Sequence, residues 1–592
     1  MFIVPKPQSM TTYNGICAVD DLKVSADVFE IICKYAEFFG LDIKPSTNSA
    51  NLFFYKDADL KDEEYEILAD EGGIRIAYST DCGLFRSFST LKQIVAQAED
   101  GKVPSLKIHD FPDIPVRGLM LVVNDKRLYT IDTLHYLIDR LAEVKYNSLQ
   151  LYFDTFVFEY DSFKKHLDGK VYYTKEDIHH LDAYCKERHI DLVANIETFG
   201  HLQELLATDE YKHLANTRDD GINFSINPLL DESFEVIKSM LDDLLPHFSS
   251  TTVNIGMDET YGIGTNETKA YCDAFSVGDI FTGFLTKVSR HIKEKHGKRS
   301  MIWGDMMAKH RDSVKDMPKD VIFVDWGYEP GHKFGENALL CKEHNLEYYS
   351  APGTLMWASF TGRSDLMVQN IHFAAEAARS HGGKGFLLTE WNAMRATAVS
   401  MLPYCFGGAF SWNSGYAINI SEADNESNCF FRNEVVWDVL SYYDKFIVGC
   451  DGTCAESLYR MGNYWMLEQP DSSATWNGTL LAKEFTKTCI GDHKPLGVVK
   501  VKRILNYLCE CREELAGYTF NNDESGMRKA EILTSCDYAI FAAKMILEEY
   551  GQEVNDTRIP DKDEFIERLR AVDASHFKTT FEDMIVKRIN EE

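Results

Sequence analysis

Positively charged side chains are scarce in this sequence compared with negatively charged ones. The 592 residues include 62 Lys and Arg against 93 Asp and Glu, which gives a formal net charge of −31 at pH 7. A negative excess of this size repels polyphosphates and anionic lipid surfaces over most of the protein surface. We therefore expect neither nucleic acid nor a membrane surface as a partner.

Long apolar segments and a targeting signal are also missing. No uninterrupted apolar segment approaches the roughly 20 residues that a membrane-spanning helix requires. Residues Met1 to Pro7 do not combine a basic start, an apolar stretch and a small-residue cleavage site, which is the pattern of a secretory signal. We therefore predict a cytoplasmic protein. Since 45% of the residues are hydrophobic and 12% are aromatic, the chain has ample material for packed cores.

Clusters of metal ligands are rare in the sequence. The 14 cysteines lie mostly singly within apparent helices and strands, which suits a reducing compartment. The two close pairs are Cys450 with Cys454 and Cys509 with Cys511. Because neither pair has a matching second pair or nearby histidines at zinc-site spacing, we predict no metal site and no cofactor.

One stretch organises the rest of the chain. A short run rich in β-branched residues, 251–255, is followed by Gly256 and then by two adjacent carboxylates, Asp258 and Glu259. The run predicts a buried strand, and acids at its C-terminal end would lie where a parallel barrel keeps its chemistry. Two neighbouring acids repel each other, so an environment that separates their pKa values would leave a protonated acid beside an anion.

Such a pair of acids fits the cleavage of a glycoside, with one restriction. Residues adjacent in sequence cannot easily flank a sugar ring from opposite sides, where a protein nucleophile and an acid stand about 5 to 9 Å apart. The substrate could therefore supply its own nucleophile. The alternative interpretation of the pair is a strand that ends in a solvated acidic turn.

Eight short apolar segments, separated by long amphipathic helices, follow residue 112. The segments are Arg117 to Val123, Ser148 to Phe153, Asp191 to Ile196, Thr251 to Ile255, Arg299 to Trp303, Val321 to Asp325, Leu346 to Ser350 and Gly385 to Thr389. Eight strands with crossover helices predict an α/β fold of the (β/α)8 TIM-barrel type, in which the fourth strand delivers the two acids.

Different patterns flank the predicted barrel. Residues 1–112 alternate strand and helix signals and predict a small α/β support domain with an antiparallel sheet. Residues 113–428 form the predicted catalytic barrel. From 429 to 592 the signals are almost all helical, which predicts a C-terminal helical domain.

Two segments resemble motifs of a known enzyme family. Residues 254–259, Asn-Ile-Gly-Met-Asp-Glu, are similar to the catalytic motif of glycoside hydrolase family 20, the β-N-acetylhexosaminidases, whose usual form is His-Ile-Gly-Gly-Asp-Glu. Residues 193–201 resemble the family's Pro-Glu-Ile-Asp-Met-Pro-Gly-His, with Glu197 in place of Asp and with His201 retained. The resemblance covers roughly residues 50 to 420 and implies a barrel preceded by an α/β domain.

The resemblance implies a role for each acid and for two further residues. Glu259 would protonate the glycosidic oxygen, and Asp258 would orient the 2-acetamido group of the substrate as its carbonyl oxygen attacks C1. Arg117, at the start of the first barrel strand, would bind sugar hydroxyls at the bottom of the pocket, and His201 would orient and tune the acid. The sequence departs from the family at 122–127, on the rim of the pocket.

Other residues near the ends of the predicted strands complete the expected sugar site. Indole rings stack on pyranose faces and exclude water from a reactive oxocarbenium-like state, although ordinary core filling is the alternative. The tryptophans concerned are Trp303, Trp326, Trp357 and Trp391. The resemblance also implies a tyrosine that holds the acetamido oxygen, for which the candidate is Tyr349, and a residue near the eighth strand that binds distal hydroxyls, for which it is Glu390 or Asn392.

The sequence therefore predicts an exo-acting β-N-acetylhexosaminidase that releases terminal β-linked GlcNAc or GalNAc from glycans or glycoconjugates with retention of configuration. Two alternatives stay open: a barrel β-glycosidase for non-acetylated hexosides, and a glycan-binding protein without activity. The C-terminal helices could also mediate a homodimer.

Overall fold

The computed structural model describes residues 1–124, 127–328, 331–391, 397–415, 433–450, 452–468, 478–487, 495–521, 523–579 and 586–587. Three groups of elements follow one another along the chain: an α/β layer, a closed barrel and a set of helices. In the described part of the chain, no helix is both long and apolar enough to cross a membrane.

The N-terminal group is a sheet covered by helices. Its elements are β1 (Ser9–Ala18), β2 (Leu22–Ser25), α1 (Ala26–Phe38), β3 (Ile43–Ser46), β4 (Leu52–Lys56), β5 (Tyr65–Asp70), β6 (Gly73–Tyr78), α2 (Asp81–Ala96) and β7 (Lys102–Asp110). Strands β1, β7, β5, β6 and β4 form one sheet in that order, antiparallel except for the β4–β6 pair. Alternate residues of β5 are buried, as expected for a strand with one covered face. The predicted α/β layer is confirmed.

The second group is a parallel barrel. Its strands are β8 (Val116–Val123), β9 (Ser148–Phe153), β10 (Asp191–Ile196), β13 (Thr252–Asn254), β14 (Arg299–Trp303), β15 (Ile322–Trp326), β16 (Glu347–Ala351) and β17 (Gly385–Glu390); the short strands β11 (Ala215–Thr217) and β12 (Asn223–Ile226) form a separate hairpin. Strand β17 pairs in parallel with β8 and closes the barrel. The predicted eight-stranded barrel is confirmed, and no strand end differs from its predicted position by more than one residue.

Helices alternate with the barrel strands along the chain. They are α3 (Ile131–Glu143), α4 (Lys175–Glu187), α5 (Gln203–Leu206), α6 (Asp231–Leu244), α7 (Lys269–Ala274), α8 (Val277–His296), α9 (Asp305–Lys309), α10 (Phe334–Glu343), α11 (Ser364–His381) and α12 (Thr397–Trp412). One face of each barrel strand packs against helices, and the other faces the barrel interior. Strands such as β9 are therefore buried along their whole length.

The C-terminal group is helical. It consists of α13 (Glu434–Tyr442), a π-helical turn at Tyr443–Val448, α14 (Cys454–Met461), α15 (Leu480–Thr486), α16 (Val498–Gly517), α17 (Asp523–Glu549) and α18 (Lys562–His576). Helix α18 ends at His576. The His576 ring lies 3.0 Å from Glu531 Oε1 and 3.1 Å from Thr133 Oγ1, so this helix end is tied to the barrel.

Candidate active site

A cavity of about 360 Å³ lies at the C-terminal ends of the barrel strands. Its lining residues are Val122, Asn124, Tyr152, Asp154, His201, Asp258, Glu259, Trp303, Trp326, Tyr328, Trp357 and Trp391. The structure thus brings the two predicted acids, the predicted histidine and all four predicted tryptophans to one cavity. This is the position at which a TIM barrel carries its active site.

The backbone that presents the acids is unusual and firmly held. After β13, Gly256, Met257 and Glu259 have φ angles of +67°, +70° and +45°, so the turn passes through the left-handed region. That region is costly for residues with a side chain, and strain of this kind persists only where the surroundings enforce it. Here the Gly256 carbonyl accepts a bond of 3.0 Å from the Trp303 N–H, and the Met257 N–H donates one of 3.1 Å to Glu197 Oε2.

His201 lies between the two acids. Its Nε2 atom is 3.3 Å from Asp258 Oδ2 and 3.4 Å from Glu259 Oε2. Burial lowers the pKa of His201, but the two adjacent carboxylates outweigh burial and raise the pKa to about 11. His201 is therefore an imidazolium at neutral pH and joins both acids through one positive charge.

Glu259 is the more accessible of the two acids. Its side chain is 27% exposed, against 10% for Asp258, and its Oε1 accepts a hydrogen bond of 2.7 Å from the Tyr261 hydroxyl. Exposure to the cavity leaves this carboxyl where it can reach a bound glycoside.

Two further carboxyls lie behind the cavity wall: Glu197 is buried, and the Asp305 side chain is 10% exposed. Burial and, as the second-largest cause, the negative charge of Asp258 raise the pKa of Glu197 well above its usual value. The same two causes raise the pKa of Asp305 to about 6, and its Oδ2 accepts the Glu259 N–H at 3.2 Å. Both raised pKa values reflect the cost of placing a further negative charge beside Asp258. Asp305 was missed by the sequence analysis, although it follows Trp303 by only two residues.

The aromatic residues form a continuous wall. The ring centroids of Trp303 and Trp391 are 6.0 Å apart, and Trp391 Nε1 donates to the Tyr328 hydroxyl at 2.7 Å. Tyr328 stacks on Trp326 at 5.3 Å and meets Trp357 edge-on at 4.7 Å. The buried indole N–H groups of Trp303 and Trp326 have no hydrogen-bond partner within the described part of the chain, so both are available to a ligand.

Tyr328, and not the predicted Tyr349, lines the cavity. Tyr349, the third residue of β16, packs in the barrel interior, and a Cβ atom on Gly385 would come within 2.3 Å of its ring. It does not line the cavity. Tyr328 lies two residues beyond Trp326, the last residue of β15, and this spacing places both on one side of the extended chain.

Arg117 lies far from the cavity. It is the second residue of β8, whereas Val122, near the other end of that strand, lines the cavity. The Arg117 guanidinium is buried and donates from Nη2 to Glu63 Oε1 at 2.6 Å and from Nε to the Lys145 carbonyl at 3.0 Å. The structure therefore contradicts the prediction that Arg117 binds sugar hydroxyls; it joins the barrel to the N-terminal layer.

Of the two candidates for the distal hydroxyls, the structure describes Glu390 but not Asn392. Glu390, the last residue of β17, is buried, accepts a hydrogen bond of 2.9 Å from the Ser400 hydroxyl and is absent from the cavity lining. Burial raises the pKa of its carboxyl. Asn392 lies outside the described residues.

Polar groups that sequence analysis did not select stand on two other strand ends. Asn124 and Asp154 each follow directly after the last residue of a strand, β8 and β9, and both line the cavity. The sequence pattern that identifies both is a polar residue immediately after a buried strand. Asp154 adds a third carboxylate to the cavity.

Comparison with protein-family models gives two matches. Residues 1–111 match the model described as "Glycosyl hydrolase family 20, domain 2", and residues 115–345 match "Glycosyl hydrolase family 20, catalytic domain". The second match contains the acids, His201 and the Trp303 and Trp326 strand ends. The two models together span the N-terminal layer and most of the barrel.

Similar proteins include a lacto-N-biosidase from Bifidobacterium bifidum, 25% identical over 55% of this chain and 30% of its own length. A beta-hexosaminidase from Vibrio furnissii is 24% identical over 52% of this chain and 54% of its own length. The chain thus spans about half or less of these relatives. Among solved structures, a chitobiase from Flavobacterium johnsoniae shares the fold with a TM-score of 0.60 and 16% identity, over 96% of this chain and 95% of that one.

Proposed function

Since the chain belongs to glycoside hydrolase family 20, we propose that it is an exo-β-N-acetylhexosaminidase. It would release terminal β-linked GlcNAc or GalNAc with retention of configuration, using the 2-acetamido group of the substrate as nucleophile. The observation that carries this proposal is the joining of Asp258 and Glu259 by one imidazolium at a single edge of an aromatic cavity.

In the first step, the acetamido carbonyl oxygen attacks C1 while Glu259 gives its proton to the glycosidic oxygen. The bond from C1 to that oxygen breaks, the leaving group departs as an alcohol, and the sugar becomes a cyclic oxazolinium ion. In the second step, water attacks C1 and loses a proton to Glu259, and the bond from C1 to the acetamido oxygen breaks. Two inversions at C1 retain the configuration.

Asp258 is suited to stabilise the oxazolinium ion. Its Oδ1 atom is buried and has no hydrogen-bond partner among the described residues, so it can accept the acetamido N–H. His201 lies against the other oxygen, and the raised pKa of the buried Glu197 carboxyl disfavours a further negative charge beside Asp258. A fixed anion in a cavity of low polarity stabilises a developing positive charge more strongly than water does.

The aromatic wall favours a pyranose as the ligand. Indole faces pack against the C–H face of a sugar and exclude water from the reacting centre. The unpartnered N–H groups of Trp303 and Trp326, counted over the described residues, add donors for ligand oxygens.

A second candidate function follows from Asp154. A β-glycosidase for plain hexosides needs a protein nucleophile apart from its acid, and Asp154 is the cavity carboxylate that does not adjoin Glu259 in sequence. In that reaction Asp154 would form a glycosyl ester, and the acetamido group would be dispensable. Because one similar protein is a lacto-N-biosidase, whether this chain releases one sugar unit or a larger piece is a further question.

The experiment compares p-nitrophenyl β-N-acetylglucosaminide, β-N-acetylgalactosaminide and β-glucoside as substrates of the wild type, Asp258→Ala and Asp154→Asn. The proposal predicts turnover of the acetamido sugars alone and its loss in Asp258→Ala. Hydrolysis of the glucoside that disappears in Asp154→Asn would favour the second candidate. Turnover of none of the three, with glycan binding retained, would identify a binding protein.

A further inference from the structure

Three side chains with metal-binding atoms meet in the C-terminal helices, outside the cavity already described. They are Asp444, in the π-helical turn, Cys450, after that turn, and Cys454, the first residue of α14. One carboxylate oxygen and the two sulfur atoms all lie within 4.8 Å of one another, and all three residues are buried. Two thiols and a carboxyl at this separation could bind one metal ion together, which apolar side chains in an ordinary core could not do.

The backbone holds these residues in position from several sides. Cys450 forms an antiparallel bridge with Phe520, and its N–H donates to the Asp444 carbonyl at 2.8 Å. Gly449, with φ of +61°, allows the sharp turn that precedes Cys450. Cys454 is held by the start of its helix. The three donors are therefore set by local structure before any ligand arrives.

The Asp444 carboxylate is itself oriented by the protein. Its Oδ1 accepts the Ala455 N–H at 2.7 Å, which caps the start of α14. Capping alone needs one carboxylate oxygen and does not require two thiols beside it. Hydrogen bonds of this kind typically orient the carboxylates that bind metal ions.

A cavity of about 470 Å³ adjoins the cluster and gives access to it. Asp444, Cys450 and Thr453 line this cavity, together with Glu456 and Lys445. The space admits a water molecule, and Glu456 contributes a further carboxylate near Asp444. A fourth ligand is therefore available from either source.

We propose that Asp444, Cys450 and Cys454 bind a thiophilic divalent cation, of which zinc is the best match. Zinc prefers four ligands, and thiolates with a carboxylate belong to its usual donors. Zn–S bonds of about 2.3 Å in a tetrahedron place two sulfur atoms about 3.8 Å apart, which the observed cluster reaches with small side-chain movements. The metal clamps the π-helical turn to α14.

The spacing of the cysteines alone does not reveal this site, because its third donor is not part of the cysteine pair. Asp444 precedes Cys450 by six residues and reaches the cluster through the π-helical turn. Cys509 and Cys511, the other close pair, are also buried but belong to none of the donor groups found among the described residues. That pair therefore provides a matched control.

The test uses the full-length protein, reduced and stripped of metal, and titrates it with Co²⁺, whose spectrum reports thiolate ligands. We expect one equivalent to bind, with a thiolate-to-cobalt charge-transfer band and the d–d absorption of a tetrahedral site, and Zn²⁺ to displace it. Cys450→Ser and Cys454→Ser should abolish the charge-transfer band. Asp444→Asn should weaken binding at least tenfold, and Cys509→Ser/Cys511→Ser should bind as the wild type does.

Two outcomes of the cobalt titration would overturn the proposal: absence of the charge-transfer band in the reduced wild type, or its persistence in both Cys450→Ser and Cys454→Ser. If a variant does not fold, the wild type decides alone, because its midpoint of thermal unfolding should rise with Zn²⁺ and fall with a chelator. A Cys450–Cys454 disulfide that forms in place of metal binding, seen by mass spectrometry of alkylated peptides, would also contradict the site.

Discussion

The Glu197 carboxyl occupies the space that a side chain on Gly256 would need. A Cβ atom built on Gly256 would come within 2.1 Å of Glu197 Oε2, and the same oxygen accepts the Met257 N–H at 3.1 Å. The ends of β10 and β13 thus interlock just before Asp258. The position of the turn that carries Asp258 and Glu259 therefore depends on Gly256, because any side chain there would meet the buried Glu197 carboxyl.

Gly256→Ala should therefore disrupt the site. The new methyl group meets Glu197, and alanine at φ of +67° is strained by about 1 kcal/mol or more. We expect kcat/KM to fall at least tenfold and the protein to be less stable. Gly283→Ala, in α8 with no atom within 4 Å of the new Cβ, is the control; it should keep full activity and gain about 0.5–1 kcal/mol. Wild-type activity in Gly256→Ala would contradict the interlock.

The charge of His201 should appear in the pH dependence of stability. Because the folded-state pKa is about 11 and the ordinary value is 6.5, its contribution is fully present below pH 6.5 and is lost as the pH rises towards 11. The free energy of unfolding of the wild type minus that of His201→Gln should thus shrink steadily between pH 7 and 10. Denaturant titrations across this range measure it, and a difference independent of pH would refute the assignment.

Tyr328→Phe and Tyr349→Phe form a matched pair of variants. Tyr328→Phe removes the hydroxyl that accepts a hydrogen bond of 2.7 Å from Trp391 Nε1 at the cavity. Tyr349→Phe removes a hydroxyl in the barrel interior. We expect kcat/KM to fall about tenfold in Tyr328→Phe, as one lost hydrogen bond of about 1.4 kcal/mol implies. Tyr349→Phe should leave it within twofold, and the reverse order would restore the sequence-based assignment.

Arg117→Met should destabilise the protein without weakening substrate binding. Removal of one partner of a buried ion pair, here with Glu63 at 2.6 Å, typically costs about 3–5 kcal/mol. The KM of the folded variant should equal that of the wild type, since Arg117 lies at the other end of its strand. Lys238→Met, which breaks an exposed pair with Glu235, should cost less than about 1 kcal/mol. A raised KM in Arg117→Met would return it to the sugar site.

The barrel could be predicted from the sequence because its strands are short, buried on both faces and separated by amphipathic helices. The same reasoning located Asp258, Glu259 and the tryptophans at strand ends. It failed for Arg117 and Tyr349, since a residue at the start or in the middle of a strand lies below the cavity or inside the barrel. The boundaries between the three predicted domains stay predictions.

Contacts between distant segments account for what sequence could not supply. Glu197 approaches Gly256 from another strand, and Tyr328 joins the aromatic wall through Trp391, 63 residues further along the chain. Asp444 likewise joins a cysteine pair through the geometry of a π-helical turn. Such positions depend on strand register and loop path, which local patterns do not determine.

The most direct measurement uses aryl glucosaminides whose N-acyl group carries zero, one, two or three fluorine atoms. Fluorine withdraws electrons from the carbonyl oxygen and makes it a weaker nucleophile while changing its size little. If the acetamido oxygen attacks C1 with Asp258 oriented against the N–H, kcat/KM should fall steeply and regularly along the series. A rate that does not change with fluorination would contradict the account and direct the search for the nucleophile to Asp154.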